Sequence, residues 1–410
     1  MPRGTGRNHK SLKLLRFWFL KILRKPPELT NQRYHGIAMR IRIITDDFTS
    51  ALDGTACFAE RRWETSVLVQ PEGIATAQVV SLDTDSREYT PTLDHDAVAN
   101  AAHAWRDADV LTLQFDSTLR GRVARDCSTA LAASGRRKLL IAPAFPSAGR
   151  TVEEGCVLVD GVPVHETAFG YDPTLPVRES SIPALLRAHG IEVKVARDAA
   201  QARALLDVHD AVVVDARTEA ELDAIATTFA GARDLLLAGS TGLLRGLARV
   251  LPRPQSAPDD RGNCGDHAAS RVPLAGRPWL VVGSLNPRSR RQLSIAQAQC
   301  RVNVLATGET RLPASAPPQA ALRDLVVQAV NVVSSRACDG LVVTGGETAR
   351  RIIDALPVVS LRVCREIMPG VPLAEVQTAI GTFPMITKAG GFGDDDALLT
   401  CIYALTGAQP

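Results

Sequence analysis

Short apolar runs, each closing in a polar turn and followed by an Ala-rich stretch of helical period, recur along almost the whole chain. The runs are Arg42–Thr45, Gln78–Leu82, Val110–Phe115, Lys138–Ala142, Ala211–Val214, Leu235–Ala238, Trp279–Val282, Val302–Leu305, Gly340–Thr344 and Met385–Thr387. Stretches such as Glu219–Phe229 and Leu322–Ser334 carry the helical pattern between them. Strand–helix alternation on this scale calls for right-handed βαβ units and parallel sheets. The expected fold class is α/β, with mainly parallel sheets flanked by helices.

A chain of 410 residues is long for one domain. The break in pattern falls at 251–277, where Pro252, Pro254, Ser256, Pro258, Gly262, Gly265 and Pro273 leave no hydrophobic period. The expected arrangement is a first domain at 39–250, a linker, and a second domain at 278–410. A crevice between two α/β domains is a favoured small-molecule site, so the active site is expected in the interdomain cleft.

The formal charge of +3 conceals an asymmetry. Residues 1–38 hold nine Lys and Arg against Glu28 alone, so removing that +8 leaves −5 from Met39 onward. A mildly acidic body gives nucleic acid no basic face to bind. The apolar stretch Leu14–Leu23 is too short to span a bilayer and, with Arg16 and Lys21, too charged for a signal-peptide core. Met39 directly precedes the first strand, so 1–38 are expected to be a disordered tail or an extension upstream of the natural start. Eight scattered cysteines with no C-x-x-C read as reduced thiols of a cytoplasmic protein, without a zinc or iron–sulfur site. His165, alone between Val164 and Glu166, reads as structural.

Three strands of the first half end in acids and arginines. Asp46 and Asp47 follow Arg42–Thr45. Gln114-Phe-Asp-Ser-Thr-Leu-Arg-Gly121 follows the next run but one, and Ala142-Pro-Ala-Phe-Pro-Ser-Ala-Gly-Arg-Thr151 the one after that. Side chains just past the carboxyl ends of parallel strands line the ligand crevice. Asp116 and Ser117 can bond a polyol, while Arg120, or Arg150 on its turn after Gly149, can grip a carboxylate with two parallel bonds. The octapeptide alone serves equally well as a capped helix start. Three such endings at one sheet edge favour a site for a small hydroxylated acid.

The second half repeats the theme with glycine. Gly345 and Gly346 separate an apolar run from a helix starting near Glu347 and Thr348, where outward-pointing amides attract phosphate. Lys388-Ala-Gly-Gly-Phe-Gly-Asp-Asp-Asp396 adds Gly390 and Gly391, and its acids, Asp394 and Asp395 among them, suit Mg²⁺. Ser284 stands at the tip of a third such turn. Neither G-x-x-x-x-G-K-[ST] nor G-x-G-x-x-G after a strand occurs, so a Walker NTPase and a Rossmann dehydrogenase are disfavoured.

Taken together the chain resembles the four-carbon acid sugar kinases. The resemblance is carried by Thr45-Asp-Asp-Phe-Thr-Ser-Ala51, Asp116-Ser-Thr-Leu-Arg-Gly121 and Ala142-Pro-Ala-Phe-Pro-Ser-Ala-Gly-Arg150, then by Asp160-Gly-Val-Pro-Val-His-Glu-Thr167, Asp172 and Pro176–Ser180. Val281–Ser284, Val342–Ala349, Glu366-Ile-Met-Pro-Gly-Val-Pro372 and Lys388–Gly393 complete it, in order from 41 to about 400. It implies a two-domain protein with the sugar acid on the first domain and ATP on the second. Asp46, Asp47, Asp116, Ser117, Arg120, Gly149 and Arg150 would then form the acid-sugar site. Ser284, Gly345, Gly346, Glu347, Thr348, Gly390 and Gly391 would contact ATP. Ser50 and Leu285-Asn286 depart from the family pattern.

The implied reaction is ATP-dependent phosphorylation of the terminal hydroxyl of a tetronate, with Asp46 or Asp47 orienting or deprotonating the attacking hydroxyl and Mg²⁺ bridging the phosphates. D-threonate or erythronate is preferred over a 3-oxo-tetronate. The rivals are an isomerase or aldolase on the same site, and a non-catalytic sensor of sugar acid and nucleotide. The sequence does not fix the oligomeric state; a homodimer is one compatible form.

Overall fold

A computed structural model describes residues 39–70, 77–87, 97–172, 174–252, 274–307 and 319–408. The basic N-terminal segment and most of the expected linker, 253–273, lie outside the described residues.

The first sheet is built from β1 (Ile41–Thr45), β2 (Thr65–Leu68), β3 (Val79–Asp83), β4 (Val110–Gln114), β5 (Lys138–Ala142), then, past an intervening hairpin, β9 (Lys194–Ala196), β10 (Ala211–Val214) and β11 (Leu235–Gly239). Every pairing is parallel and the order is β2-β3-β1-β4-β11-β5-β10-β9. Strands such as Ile41–Thr45 and Leu235–Gly239 are buried throughout, as a sheet covered on both faces requires. Helices Phe48–Ala59 (α1), Ala97–Ala104 (α2), Val123–Ser134 (α3), Ile182–Arg187 (α4), Ala199–Val208 (α5), Glu219–Phe229 (α6) and Thr241–Val250 (α7) connect them. The small antiparallel hairpin of β6 (Arg150–Glu153), β7 (Cys156–Val159) and β8 (Val162–Pro163) projects from the loop after β5.

The second sheet runs β13-β12-β14-β17-β16-β15. It comprises β12 (Pro278–Val282), β13 (Asn303–Ala306), β14 (Gly340–Thr344), β15 (Val358–Met368), β16 (Val371–Thr378) and β17 (Gly381–Lys388). Its helices are α8 (Pro287–Gln299), α9 (Gln319–Ser334), α10 (Gly346–Ala355) and α11 (Ala397–Thr406). One half is parallel as expected. The other is an antiparallel meander, β15 to β17, that the apolar runs did not announce. Three register shifts along β15 break its alternation, and charged Arg362, Arg365 and Glu366 interrupt it.

Helix α1 joins the two sheets. Its Cys57 and Phe58 belong to the apolar cluster of the first sheet, while Phe48, Ala51, Leu52 and Ala56 pack in one cluster with Val281, Leu341, Val343 and Ile352 of the second. A helix buried on two faces cannot slide against either without exposing apolar surface, at about 25 cal/mol per Å². This fixes how the strand ends of one sheet stand against those of the other.

Candidate active site

Strand register decides which residues meet. Thr45 pairs with Asp83 on one side and Gln114 on the other, and Gln114 is followed across the sheet by Gly239 and Ala142. Five strands thus end level, and the loops beyond them converge. The chain leaves β1 toward β2 and β4 toward β5, in opposite directions along the sheet, which places the crevice above β1 and β4.

At its centre is Arg87, four residues beyond β3. Its Nε and Nη2 donate to the two oxygens of Asp46 at 2.8 and 2.7 Å. Its Nη1 donates to Asp47 Oδ2 at 2.5 Å, and Nη2 also reaches Ser50 Oγ at 2.8 Å. Burial pushes the Asp46 carboxyl up to about 6, against the pull of Arg87. Asp47 caps α1: Oδ1 accepts from the Ser50 amide at 2.7 Å and Oδ2 from Thr49 Oγ1 at 2.9 Å. The hydroxyl of Ser50, one of the departures from the family pattern, therefore enters the grip of Arg87.

Asp116 accepts from Thr118 Oγ1 at 2.6 Å and from Arg120 Nε at 2.5 Å. Burial would raise its carboxyl, but Arg120 and Arg87 outweigh it and hold Asp116 below the ordinary carboxylate range. The turn is tight: Leu119 sits at φ 61, and Gly121 at φ 92 lies where a Cβ would stand 3.2 Å from Arg87 Cα. Left-handed backbone on a leucine costs about 1 kcal/mol or more and persists where the surroundings enforce it. Arg120 and Arg150 both lie over the ring of Phe169, at 5.5 and 5.9 Å from its centroid. Asp172 Oδ2 stands 4.0 Å from Arg120 Nη1. Arg150 donates to the Ala148 carbonyl, while its Nε is buried with no acceptor among the described residues. Gly149, at φ 74, admits Asp160 against its backbone.

The second sheet presents a matching edge. Val282 pairs with Thr344 and Thr344 with Lys388, so Gly283-Ser284, Gly345-Gly346 and Ala389-Gly390 leave it side by side. Gly345 has φ 105 and precedes α10, whose first turn receives no side-chain cap. Its uncapped amides carry the positive end of the helix dipole. Glu347 turns its carboxylate back onto Arg351 at 2.6 Å, leaving its amide at the helix start. Thr348 Oγ1 packs against Gly283, and Ser284 Oγ against Gly390, each too closely for a Cβ on the glycine. Asn286 caps α8 through the Arg288 amide at 2.9 Å, which accounts for this second departure, while Leu285 is exposed.

The two edges touch. A Cβ built on Gly346 would lie 3.1 Å from Thr49 Cγ2 and 3.8 Å from Asp47 Oδ2. The acids of the first sheet therefore face the uncapped helix of the second directly.

Residues 41–247 match a family model described as a sugar-binding N-terminal domain, and residues 307–398 one described as a nucleotide-binding C-terminal domain. A D-threonate kinase of Bordetella bronchiseptica is 30% identical, across 89% of this chain and 97% of its own length. The chain belongs to the four-carbon acid sugar kinase family. A D-threonate kinase of Salmonella typhimurium is 28% identical over 89% of this chain and 98% of its own. Other relatives bear the names 3-oxo-tetronate kinase, 28% identical, and D-erythronate kinase, 26% identical. Among solved structures, a Salmonella typhimurium protein named provisionally as a tRNA synthase superposes with a TM-score of 0.67 over 89% of this chain and 99% of its own. At 20% identity that likeness concerns the fold.

Within this kinase frame, Asp46, Asp47, Asp116, Arg120 and Arg150 gather around the first edge, with Ser117 and Gly149 on the same turns. Ser284, Gly345, Gly346, Glu347, Thr348, Gly390 and Gly391 gather around the second. Asp394 is exposed at the end of the glycine turn, whereas Asp395 pairs with Arg291 at 2.8 Å. Among the described residues no group of three or more His, Cys, Asp or Glu side chains is gathered as a metal cage. Sequence reasoning missed Arg87, Asp83, Phe169 and Arg350. The rule that found the other acids would have found two of them: Asp83-Thr-Asp-Ser-Arg87 is also the polar end of a strand.

Proposed function

We propose that this kinase transfers the γ-phosphoryl group of ATP to the terminal hydroxyl of D-threonate or a closely related four-carbon sugar acid. The observation that carries the proposal is the close approach of Asp47 and Thr49 to Gly346. An acid able to orient a hydroxyl there adjoins a helix start able to hold phosphate. Phosphoryl transfer asks mainly for positioning and charge neutralisation.

In this reading the first domain, 39–250, takes the sugar acid and the second, 278–410, the nucleotide. Arg150 clamps the substrate carboxylate, because Arg120 is already committed to Asp116. Asp116 and Ser117 bond the substrate hydroxyls. Asp47, held by Arg87, orients the attacking hydroxyl and receives its proton, while Asp46 fixes Arg87. The amides of Gly346, Glu347 and Thr348, with the turn at Gly390 and Gly391 and the hydroxyl of Ser284, take the phosphates. Mg²⁺ needs only one or two carboxylates beside phosphate oxygens, a donor set that Asp394 fits and that Asp395, held by Arg291, fits less well. The ion would neutralise phosphate charge there.

The test is ADP release by the purified protein with D- and L-threonate, D- and L-erythronate and 3-oxo-tetronate. D-threonate is expected to give the highest kcat/KM. Turnover only with the 3-oxo acid would transfer the assignment to that substrate. Thermal stabilisation by the acids and ATP without ADP would mark a sensor and end the proposal. Among the described residues no helix is long and apolar enough to cross a membrane.

A further inference from the structure

Lys388 is the least expected charge in the structure: the last residue of β17, 1% exposed, at the root of the glycine turn. An ammonium group buried this deeply is costly unless each proton finds an acceptor. Nζ finds three, all main-chain carbonyls of the turn it precedes: Ala389 at 3.0 Å, Gly390 at 3.2 Å and Phe392 at 3.1 Å. Two of these carbonyls also accept from α8. Ser289 Oγ donates to Gly390 O at 2.7 Å and Gln292 Nε2 to Phe392 O at 3.1 Å. Arg288 Nη1 donates to Gly391 O at 3.2 Å.

In a trans peptide the N–H points opposite to the preceding C=O. Carbonyls 389, 390 and 392 aimed at Lys388 therefore aim the amides of Gly390, Gly391 and Gly393 away from it. Among the described residues none of these three amides donates to a protein group. The turn borders Ser284, whose Oγ lies against Gly390, and Ser284 in turn adjoins the uncapped start of α10.

We propose that Lys388 is a positioning residue that presets the Ala389–Gly393 turn as an amide nest for nucleotide phosphate, without itself touching the nucleotide. The proposal rests on the reading of the second edge as the phosphate site. All three ammonium protons are consumed by carbonyls, so a direct phosphate contact would require abandoning one of them. The buried positive charge behind the peptides adds to their attraction for an anion. A neutral side chain in its place leaves three inward carbonyls short of donors and lets the peptides rotate. Burial already lowers the ammonium to about 8, the other facing groups being Cys401, which burial raises to about 12, and Arg288.

The experiment measures ATP, adenosine and D-threonate binding to the full chain and to Lys388→Met, with KM and kcat for both substrates. The variant should bind ATP at least roughly tenfold more weakly, the loss of hydrogen bonds to a charged ligand. Adenosine and D-threonate affinities and the KM for the acid should stay as in the parent. Unchanged ATP affinity overturns the proposal, and so does equal weakening of all three ligands, which marks a merely structural lysine. Should the variant not fold, the parent chain supplies the answer between about pH 7 and about pH 9.5. A neutral amine has only two N–H donors for three carbonyls. ATP affinity should then fall several-fold while D-threonate affinity stays level, and a flat ATP profile overturns the proposal. If the parent binds no ATP at neutral pH, the nucleotide reading itself fails, a distinct outcome.

Discussion

Arg350, one turn into the helix that opens at Gly346, donates to the buried Asp83 carboxylate at the end of β3 and to the Val69 carbonyl at 3.1 Å. The helix proposed to hold phosphate is thus tied to the strand end beside Asp46 and Asp47. Burial lifts Asp83 to about 7 against the pull of Arg350. Arg350→Ala leaves that carboxyl buried without its cation and should cost about 3 kcal/mol in urea unfolding. Adding Asp83→Asn to the variant should recover part of the loss. Full additivity of the two single changes would show that the pair does not couple the edges.

Gly346 allows the closest approach between the two edges. In Gly346→Ala the methyl meets Thr49 Cγ2 at 3.1 Å and Oγ1 at 3.3 Å, so Thr49 or the helix start must move by a few tenths of an ångström. A small misplacement of reacting groups is expensive in rate. Turnover is expected to fall roughly tenfold to a hundredfold with Tm within a few degrees of the parent. Thr49→Ala in the same chain should restore part of it. An active single variant would mean that this contact does not set the reacting geometry.

Asp47→Asn separates charge from shape. Asparagine still caps α1 through the Ser50 amide, so folding should survive. The proton acceptor is gone, and kcat should drop by about 10²- to 10⁴-fold with little change in the KM for ATP. Near-parental ADP release would shift the catalytic role elsewhere.

The acid limb of the rate profile should belong to Asp46. Its folded value of about 6 exceeds the ordinary 3.8, so the folded state binds its proton more tightly and stability from this group falls as pH rises between those values. With Asp46 protonated the fork of Arg87 loses its charged partner and its hold on Asp47 loosens. kcat/KM is therefore expected to decline below about pH 6. Arg87→Lys removes the fork and should move the limb to higher pH; a limb that stays in place assigns it to another group.

Much of this site was legible because strand ends announce themselves: an apolar run, then acids, arginines or glycines. All ten apolar runs coincide with observed strands, and the charged turns they lead into meet at two edges. The antiparallel meander was not legible, since β15 carries three register shifts and charged side chains that erase period two. Arg87 was overlooked although it follows β3 as Asp46 follows β1. Its role depends on Thr45 pairing with Asp83, a relation between strands far apart in the chain. The role of α1 was equally hidden, because its small residues read as a plain helix while they serve two cores at once.

A second, part-buried cluster joins the edges behind the site and carries a pH signature of its own. Arg245 of α7 donates to both oxygens of Glu366, at 2.8 and 2.9 Å, and stands 4.0 Å from Asp53. Asp53 Oδ2 accepts from Thr241 at 2.7 Å, while its Oδ1 is buried without a donor. One guanidinium faces two carboxyls there. Burial, reinforced by the Asp53 charge and opposed by Arg245, raises Glu366 to about 8 from 4.5. Between those values the folded chain holds the Glu366 proton and the unfolded chain has released it, so this contribution to stability falls as pH rises and is fully lost above about 8. Glutamine copies the protonated acid, with an oxygen for Arg245 and an amide donor for Asp53 Oδ1. Glu366→Gln should therefore show a flatter dependence of Tm on pH from about 5 to about 9, with the larger gain over the parent at the alkaline end. Identical slopes for the two chains would place the retained proton somewhere other than on Glu366.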